Sequence, residues 1–573
     1  SAERPIDVRI AGAGDAAGKL RLKVYSASGS LPLSSMVPAL EDFGFVVLQE
    51  LPTALEGIEG YHLHDFGLGD AEEIGASTDL PMVERAVAAV LSGHAENDAF
   101  NQLVSAVGID PVAVGWLRAW FRYLRQAGVT YSIPTVVQAL RCAPDVTRAL
   151  IALFRALHDP EGASADAAQA AREAVTAGLD KVAAIDEDRI LRLMQAVIEA
   201  TLRTNAFAPA AAEALAFKID SSKVPGLPQP LPWREIFVYS PRVEGIHLRA
   251  GPVARGGLRW SDRRDDFRTE ILGLMKAQRV KNAVIVPTGA KGGFYPKQLP
   301  DPAVNRDAWF AEGTECYRIF IRTLLSITDN RVGETVVHPP RVVIRDGEDP
   351  YFVVAADKGT ATFSDVANAI ALERDFWLGD AFASGGSNGY DHKAMGITAK
   401  GAWLSVQRHF RELGTDVQSD LVTVVGVGDM SGDVFGNGML LSQSLRIVAA
   451  FDHRHIFIDP APDAAVSWGE RKRLFDLPRS SWADYDASLI SAGGGVYPRS
   501  QKSIELSPEA AAAIGIAPGA IEPAALMAAI LKAPVDLIWF GGIGTYVKAA
   551  AQNNAEVGDP ANDRIRVDAE ALR

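Results

Sequence analysis

The stretch Leu421-Val-Thr-Val-Val-Gly-Val-Gly428 is an apolar run that ends in two closely spaced glycines. A run of this length predicts a buried strand, and the glycines predict a tight turn at its end. We expect a helix over residues 432–446 next, and then a strand over residues 447–451 that is closed by Asp452. Strand, Gly-x-Gly turn, helix, strand and acid follow one another in this order in dinucleotide-binding folds. The last part of the chain is therefore predicted to be a Rossmann-type α/β domain.

The turn after this strand contains the candidate cofactor residues. Backbone N–H groups at such a turn bind a pyrophosphate, and an acid at the end of the second strand binds a ribose hydroxyl. The candidates for these roles are Gly426, Gly428, Asp429, Met430, Ser431, Gly432 and Asp452. The acid favours NAD, although Arg454 leaves NADP open, and Asp459 is a second acid that could serve the ribose.

A second glycine-rich stretch, Pro287-Thr-Gly-Ala-Lys-Gly-Gly293, surrounds Lys291. The glycines leave room for a small substrate beside this lysine. Burial near other cations lowers the pKa of a lysine ammonium toward the range used in acid–base catalysis. A short strand predicted at residues 284–286 lies between Lys281 and Lys291, so we expect both lysines to face one cleft.

Arg255 lies upstream of these lysines and is followed by Gly256 and Gly257. Its planar guanidinium is suited to a carboxylate. Several cations in one glycine-lined cleft of a protein with a net charge of −14 predict a small anionic substrate. The alternative for this stretch is a glycine-rich turn whose lysines only meet solvent.

Composition excludes several other classes of protein. The 573 residues suffice for roughly three or four domains at about 150 residues each. The net charge argues against nucleic acid or an anionic membrane as partner, and no apolar run is long enough for a membrane helix. Cys142 and Cys316 form no metal-ligand pattern, so we expect no metal site and a cytoplasmic location.

The rest of the chain divides into regions with different predicted secondary structure. Residues 1–78 predict a ββαββ module that resembles the ACT-type modules that bind amino acids, although a purely structural module fits equally well. Residues 79–223 predict helices, the last over 186–207, with a core of Trp116, Trp120, Phe121 and Tyr123. A proline-rich linker then leads to the substrate domain over 224–400 and the Rossmann-type NAD domain over 401–573. The predicted fold is therefore multi-domain α/β.

Three stretches together resemble the glutamate dehydrogenases, and their sequences are most similar to the bacterial large-subunit, NAD-specific class. They are Gly256-Gly-Leu-Arg-Trp260, Lys281-Asn-Ala283 and Pro287-Thr-Gly-Ala-Lys-Gly-Gly293. The resemblance implies that Arg255 holds the side-chain carboxylate of the substrate, that Lys281 holds the α-carboxylate and that Lys291 is catalytic. Arg255 stands where the short enzymes of the family have lysine. The chain is similar to the catalytic portion of a longer protein.

Further roles follow from the same resemblance. Ala355-Ala-Asp357 is similar to the turn that contains the family's catalytic aspartate, which implies that Asp357 exchanges protons with Lys291. Ser387 and Asn388 lie in a stretch that resembles the family's hinge segment and are assigned to the cofactor. Thr545 lies near the position of a substrate-contacting serine and is assigned to the substrate.

The resemblance implies NAD-dependent oxidative deamination of L-glutamate to 2-oxoglutarate and ammonia, in both directions. It also implies a homo-oligomer, with a homotetramer favoured. Two other hypotheses stay open at this point: a dehydrogenase for another amino acid, and a catalytically silent NAD-sensing regulator.

Overall fold

The computed structural model describes residues 6–12, 20–27, 29–54, 60–69, 79–281, 288–356, 362–388, 391–542, 544–557 and 559–572. The chain divides into two compact units, Ser1–Gly386 and Ser387–Arg573. Each unit has its own buried apolar core, so each is described separately below.

The first unit begins with an antiparallel sheet in the order β1-β2-β4-β3. Its elements are β1 (Ile6–Gly12), β2 (Leu20–Ser26), α1 (Leu33–Glu41), β3 (Val47–Ala54) and β4 (His62–Leu68). Every second residue of β1 is buried over Ile6–Ile10, as a sheet with one packed face requires. The predicted ββαββ order is confirmed.

A helical region follows the first sheet. Its helices are α2 (Leu80–Leu91), α3 (Gln102–Val107), α4 (Pro111–Gln126), α5 (Ile133–Cys142), α6 (Pro144–His158), α7 (Ala165–Leu179) and α8 (Ile185–Ala200). The aromatic side chains of α4 are buried in the core, as predicted. The helix predicted over 186–207 is too long, because α8 ends at Ala200 and a strand begins at the β-branched Thr201.

A mixed sheet forms the rest of the first unit, in the order β14-β13-β9-β10-β8-β7-β6-β5. Its elements and the helices on it are β5 (Thr201–Thr204), β6 (Leu215–Ile219), β7 (Arg234–Tyr239), β8 (Val243–Arg249), β9 (Ala254–Trp260), α9 (Phe267–Lys281), β10 (Thr288–Pro296), α10 (Arg306–Leu325), β11 (Asn330–Val332), β12 (Thr335–Val337), β13 (Val353–Ala356), α11 (Ser364–Glu373) and β14 (Ala383–Ser384). β11 and β12 pair with each other outside this sheet. β5 and β6 belong to the mixed sheet although they precede residue 224.

The second unit contains a smaller sheet in the order β18-β17-β16-β15-β21. The elements of this unit are α12 (His392–Met395), α13 (Ile397–Glu412), β15 (Val422–Val427), α14 (Asp433–Gly438), β16 (Leu445–Phe451), β17 (His455–Ile458), α15 (Ala464–Asp476), β18 (Gly495–Pro498), β19 (Ile504–Leu506), α16 (Pro508–Ile514), β20 (Gly519–Ile521), α17 (Pro523–Ile530), β21 (Leu537–Phe540), β22 (Val547–Lys548), α18 (Asn554–Val557) and β23 (Val567–Asp568). β15 is parallel to β16 and to β21, whereas β17 is antiparallel to β16.

The helix predicted over 432–446 is wrong in its length. α14 ends at Gly438, and the chain turns before β16 begins at Leu445. Two glycines explain the early end, because glycine is a poor helix former. Packing excludes a side chain at both positions. A Cβ at Gly436 would lie 2.5 Å from the Met430 carbonyl oxygen, and one at Gly438 would lie 2.3 Å from the Trp539 ring.

The strand predicted at residues 284–286 lies outside the described residues. Among the helices that are described, none combines the length and the apolar character that crossing a membrane requires.

Candidate functional site

Strand pairing brings the first group of candidate residues together. Gly289 of β10 pairs with Arg255 of β9, and Lys291 follows two residues later on β10. On the other side of β9, β13 pairs Val353 with Arg255 and Ala355 with Gly257. The predicted cationic residues Arg255 and Lys291 therefore lie on neighbouring strands in the middle of the mixed sheet.

The glycines of this site allow strands to approach closely. A Cβ built on Gly256 would lie 1.5 Å from the carbonyl oxygen of Ala290, so no other residue fits there without moving β10. On β10, a Cβ at Gly292 would lie 2.5 Å from Leu258, and one at Gly293 would lie 2.5 Å from Ile271. The backbone on both sides of Lys291 is thus fixed by packing.

The two cations differ in exposure. Lys291 is buried, with 8% of its surface exposed. Arg255 is exposed and makes no side-chain hydrogen bond or ion pair within the part of the chain that the structure describes. A guanidinium can bind a carboxylate by donating two parallel hydrogen bonds to it.

Two predicted site residues cannot be placed. The side chain of Lys281 lies outside the described part of the structure, although the helix α9 ends at this residue. Asp357 is also outside it, directly after the last residue of β13. Their roles stay predictions.

In the second unit the predicted glycine turn lies at the carboxyl end of β15. β15 has β16 on one side and β21 on the other, so the strand order reverses there, and ligands of open α/β sheets bind at such a point. Gly428 has a φ of +141°, and a Cβ on it would lie 2.8 Å from Phe435. A Cβ on Gly426 would lie 2.4 Å from the same ring. By contrast, a Cβ on Gly432 would meet only the Asp429 carbonyl oxygen, at 3.4 Å.

Asp429 and Asp452 form a close pair of carboxyl groups beside this turn. Carboxylate oxygens of the two and a ring nitrogen of His453 lie within 4.8 Å of one another. Burial and the neighbouring Asp452 raise the pKa of Asp429. Asp452 Oδ1 accepts hydrogen bonds from the backbone N–H groups of Arg454 (2.7 Å) and His455 (2.6 Å). The expectation of no metal site stays a prediction.

The second oxygen of Asp452 is buried and lacks a hydrogen-bond donor within the described part of the chain. Asp452 is 6% exposed, and its Oδ2 accepts no hydrogen bond from the described residues. The guanidinium of Arg454 lies near it, with Nε 4.0 Å from Oδ2. A ribose hydroxyl would supply the missing donor, so the residues present fit a dinucleotide.

The other cofactor candidates support the turn. Ser431 donates to Asp429 Oδ1 from its backbone N–H (2.9 Å) and its hydroxyl (2.5 Å). Met430 is buried, with 1% of its surface exposed. Asp459, the alternative ribose acid, is fully buried and accepts a hydrogen bond from the Ser491 N–H at 3.1 Å. Its Oδ2 is also buried without a hydrogen-bond partner among the described residues, so Asp459 stays an alternative prediction for the ribose acid.

The remaining candidates lie in exposed segments. Ser387 and Asn388 are exposed turn residues, and their assignment to the cofactor stays a prediction. Thr545 is exposed, and its N–H donates to Asp559 Oδ2 at 2.9 Å. Tyr546 beside it is a core residue that packs against Phe451. The assignment of Thr545 to the substrate is also untested.

A buried polar cluster on the mixed sheet was not predicted. Glu235 of β7 accepts hydrogen bonds from Tyr123 of α4 and from Arg268 of α9. The sequence signal for it is weak, because Tyr123 belongs to an aromatic run that predicts only core packing, and Tyr123 and Glu235 are 112 residues apart.

Comparison with known proteins gives matches along nearly the whole chain. Residues 174–573 match the family model "Bacterial NAD-glutamate dehydrogenase, catalytic domain". Residues 95–160 match "Glutamate dehydrogenase, helical motif 3", and residues 6–81 match "Glutamate dehydrogenase, ACT3 domain".

Two curated relatives show the extent of the likeness. The NAD-specific glutamate dehydrogenase of Pseudomonas aeruginosa is 54% identical over 97% of this chain and 35% of its own length. The one of Mycobacterium tuberculosis is 54% identical over 98% of this chain and 36% of its own length. The chain thus spans about a third of the relatives that it matches. A hetero-hexameric glutamate dehydrogenase structure from Thermus thermophilus matches at 18% identity and a TM-score of 0.28, over 44% of this chain and 54% of that one, which is too low to support an argument.

Proposed function

This chain belongs to the bacterial NAD-glutamate dehydrogenase family, and on that premise we propose that its protein converts L-glutamate to 2-oxoglutarate and ammonia with NAD, in both directions. One observation carries the proposal: the buried Lys291 and the exposed Arg255 lie on adjacent strands in the middle of one sheet. Because the chain spans about a third of its curated relatives, the activity is proposed for the protein as a whole.

The first unit supplies the groups for the substrate. Arg255 pairs with the side-chain carboxylate of glutamate, and Lys281 pairs with the α-carboxylate. Gly256 lets β9 approach β10 closely, which holds Arg255 next to the strand that contains Lys291. Holding both carboxylates fixes the position of the α-carbon, which is a large part of the catalytic effect in reactions of this kind.

The acid–base chemistry is assigned to Lys291 and Asp357. Oxidation removes a hydride from the α-carbon and a proton from the amino group, which leaves an imine. Lys291 activates a water molecule that adds to the imine carbon, and Asp357 exchanges protons with Lys291 as ammonia leaves and the ketone forms. One water is consumed, and one ammonia and one 2-oxoglutarate are released.

The second unit supplies the cofactor site. The turn at Gly426 and Gly428 holds the pyrophosphate, with Asp429, Met430, Ser431 and Gly432 forming its edge, and Asp452 Oδ2 accepts from the ribose. When bound, NAD accepts the hydride of the substrate. An acidic side chain at this position disfavours the 2′-phosphate of NADP, since two acidic groups would meet at one point. Ser387, Asn388 and Thr545 keep the roles that the family resemblance implies.

Lys291→Ala provides the test. We expect no measurable NADH formation from glutamate, because no other group is proposed to activate water, while NAD binding measured by calorimetry stays within about twofold of wild type. The assay uses the full chain, a panel of amino acids, and NAD and NADP separately. Lys181→Ala changes an exposed lysine of the helical region and serves as the control.

Three outcomes would contradict the proposal. Substantial glutamate oxidation by Lys291→Ala would remove the catalytic assignment. Faster NADH formation with another amino acid, with Arg255→Ala having no effect on glutamate, would make the protein a dehydrogenase of different specificity. Wild type that binds NAD and oxidises no amino acid would point to a sensor.

The finer domain division and the assembly are also part of the proposal. We assign residues 1–78 to an ACT-like module, 79–223 to a helical domain, 224–400 to the substrate domain and 401–573 to the NAD domain. The family resemblance supports a homo-oligomer with a tetramer favoured, and light scattering of the full chain decides its number of subunits.

A further inference from the structure

Helix α4 of the helical region presents three polar side chains to the mixed sheet and to α9. Arg122 donates to Glu244 of β8, with Nε 2.9 Å from Oε1. The hydroxyl of Tyr123 donates to Glu235 Oε1 of β7 at 2.9 Å. Gln126 donates from Nε2 to the Arg264 carbonyl oxygen at 2.8 Å and accepts the backbone N–H of Arg268 at 3.1 Å. One face of α4 therefore contacts two strands and the first turn of α9.

Glu235 is the centre of these contacts. Arg268 donates to it twice, from Nε to Oε2 at 2.8 Å and from Nη2 to Oε1 at 3.0 Å. Both side chains are fully buried. A buried ion pair is stabilised by further hydrogen bonds to its charged groups, and the hydroxyl of Tyr123 is a third donor to this carboxylate.

The beginning of α9 packs against β10, the strand that contains Lys291. Arg268 is the second residue of α9, and Ile271 lies one turn later. The methyl group of Ile271 occupies the space in which a Cβ of Gly293 would stand, at 2.5 Å. Gly293 is two residues from Lys291 on β10, and the last residue of α9 is Lys281. A shift of α9 therefore moves the support of Lys291 and the helix end that carries Lys281.

A second set of contacts holds the carboxyl end of β10. Lys297, directly after β10, pairs with Glu244 at 3.0 Å and with Glu96 of the helical region. Tyr239 of β7 also donates to Glu96. Since Glu244 is bound by Arg122 as well, the helical region is attached to the carboxyl end of the strand that contains Lys291 in addition to α9.

We propose that Tyr123 and Gln126 are positioning residues, which fix α9 through Glu235 and Arg268 and thereby set the positions of Lys281 and Lys291. The helical region is then a part of the catalytic machinery of the first unit and not only an appendage to it. The catalytic half of this statement rests on the proposed function, whereas the coupling of α4 to α9 and β10 does not.

Tyr123→Phe tests the proposal because it removes the hydroxyl and keeps the ring in the core. Tyr131→Phe is the matched control: the Tyr131 hydroxyl also donates to a carboxylate, Asp186 Oδ1 at 2.8 Å, but at an exposed position away from α9. For Tyr123→Phe we expect about a tenfold loss in kcat/KM for glutamate, with the KM for NAD unchanged, because misplaced groups lower the rate more than they lower binding of a separate ligand.

Hydrogen exchange of the full chain gives a readout that is independent of turnover. Tyr123→Phe is expected to speed exchange in peptides covering 267–281 and 288–296, and Tyr131→Phe to leave both as in wild type. Gln126→Leu, which removes the contacts to Arg264 and Arg268, is expected to act in the same direction.

Each possible result supports or overturns a named part of the proposal. Equal exchange in α9 and β10 for Tyr123→Phe and Tyr131→Phe overturns the coupling, whatever the activity. Faster exchange with an unchanged kcat/KM for glutamate overturns the positioning role. Wild type without glutamate oxidation refutes the proposed function instead, and the exchange data alone then judge the link from α4 to α9.

Discussion

At the scale of single residues, Gly256 gives the sharpest constraint on the site. Its α-hydrogen points at the backbone of β10, and a Cβ there would lie 1.5 Å from the Ala290 carbonyl oxygen. Backbone in a sheet cannot move aside as the end of a flexible side chain does. We expect Gly256→Ala to lower the free energy of unfolding by about 3 kcal/mol, the upper end for overpacking, in urea denaturation.

Gly115→Ala is the matched control in the same unit. Gly115 lies within α4, and a Cβ on it would have nothing within 4 Å. Alanine in a helix interior is expected to raise the free energy of unfolding by about 0.5–1 kcal/mol. Equal stability of the two variants would mean that β9 and β10 adapt to the added methyl group.

The residues of the site were predictable to different degrees. Glycines next to Lys291 and Arg255 are a local signal of close approach, but the expectation that they leave room for a ligand is wrong at Gly256, Gly292 and Gly293, where protein atoms fill the space. The Glu235–Arg268 pair has no local signal, since buried partners of opposite charge look like any two charged residues in a sequence. The carboxyl pair of Asp429 and Asp452 became visible only when the strands placed both acids at one turn.

At the scale of elements, the strands were predicted better than the helix that connects them. β15 and β16 are apolar runs, and their burial follows from composition alone. α14 is shorter than predicted because Gly436 and Gly438 pack against Met430 and Trp539, and those contacts depend on tertiary structure. Sequence patterns therefore identify elements, whereas packing sets where they end.

Another element-scale feature is a buried row of charges that ties the segment before β13 to the mixed sheet. The row consists of Arg203, Asp329, Asp346, Lys218, Asp349 and Arg249. Asp349 Oδ2 lies 2.8 Å from Lys218 Nζ and 2.5 Å from Arg249 Nη1. Burial opposes ionisation of Asp349, but Arg249 and Lys218 outweigh it and keep its pKa below the ordinary value. Since β13 pairs with Arg255, the row helps to place the proposed substrate strand.

Asp349→Asn tests the row. The substitution keeps the shape and leaves two buried cations without their shared anion, so we expect a loss of about 3–5 kcal/mol in the free energy of unfolding. Asp188→Asn is the control, because Asp188 pairs with Arg192 at an exposed position and should lose less than about 1 kcal/mol. Circular dichroism in urea measures both. A loss below about 1 kcal/mol for Asp349→Asn would show that the row contributes little.

At the scale of the whole molecule, the net charge of −14 does not describe the interior. His158 and His247 are among the histidines buried in the first unit, and each is 1% exposed. Burial, with Arg345 beside one and Arg249 beside the other, lowers the pKa of both to about 3. Neither ring nitrogen of His247 has a hydrogen-bond partner in the described structure. Both imidazoles are therefore neutral in the folded protein at physiological pH.

This arrangement predicts that stability falls in mild acid. Unfolding restores the ordinary histidine pKa of about 6.5, so the unfolded chain takes up protons that the folded chain excludes. The stability is complete above the unfolded pKa and decreases as the pH falls below it, until the folded pKa is reached. Between about pH 7.5 and about pH 5.5, each histidine should lower the free energy of unfolding by about 1.4 kcal/mol. Urea titrations at the two pH values measure the sum of the two histidine contributions.

His247→Leu should remove one histidine's share of this difference in the free energy of unfolding, and His94→Leu, at an exposed position, should remove none. The same pH dependence in His247→Leu and wild type would mean that His247 takes up its proton as readily in the folded protein as in the unfolded chain.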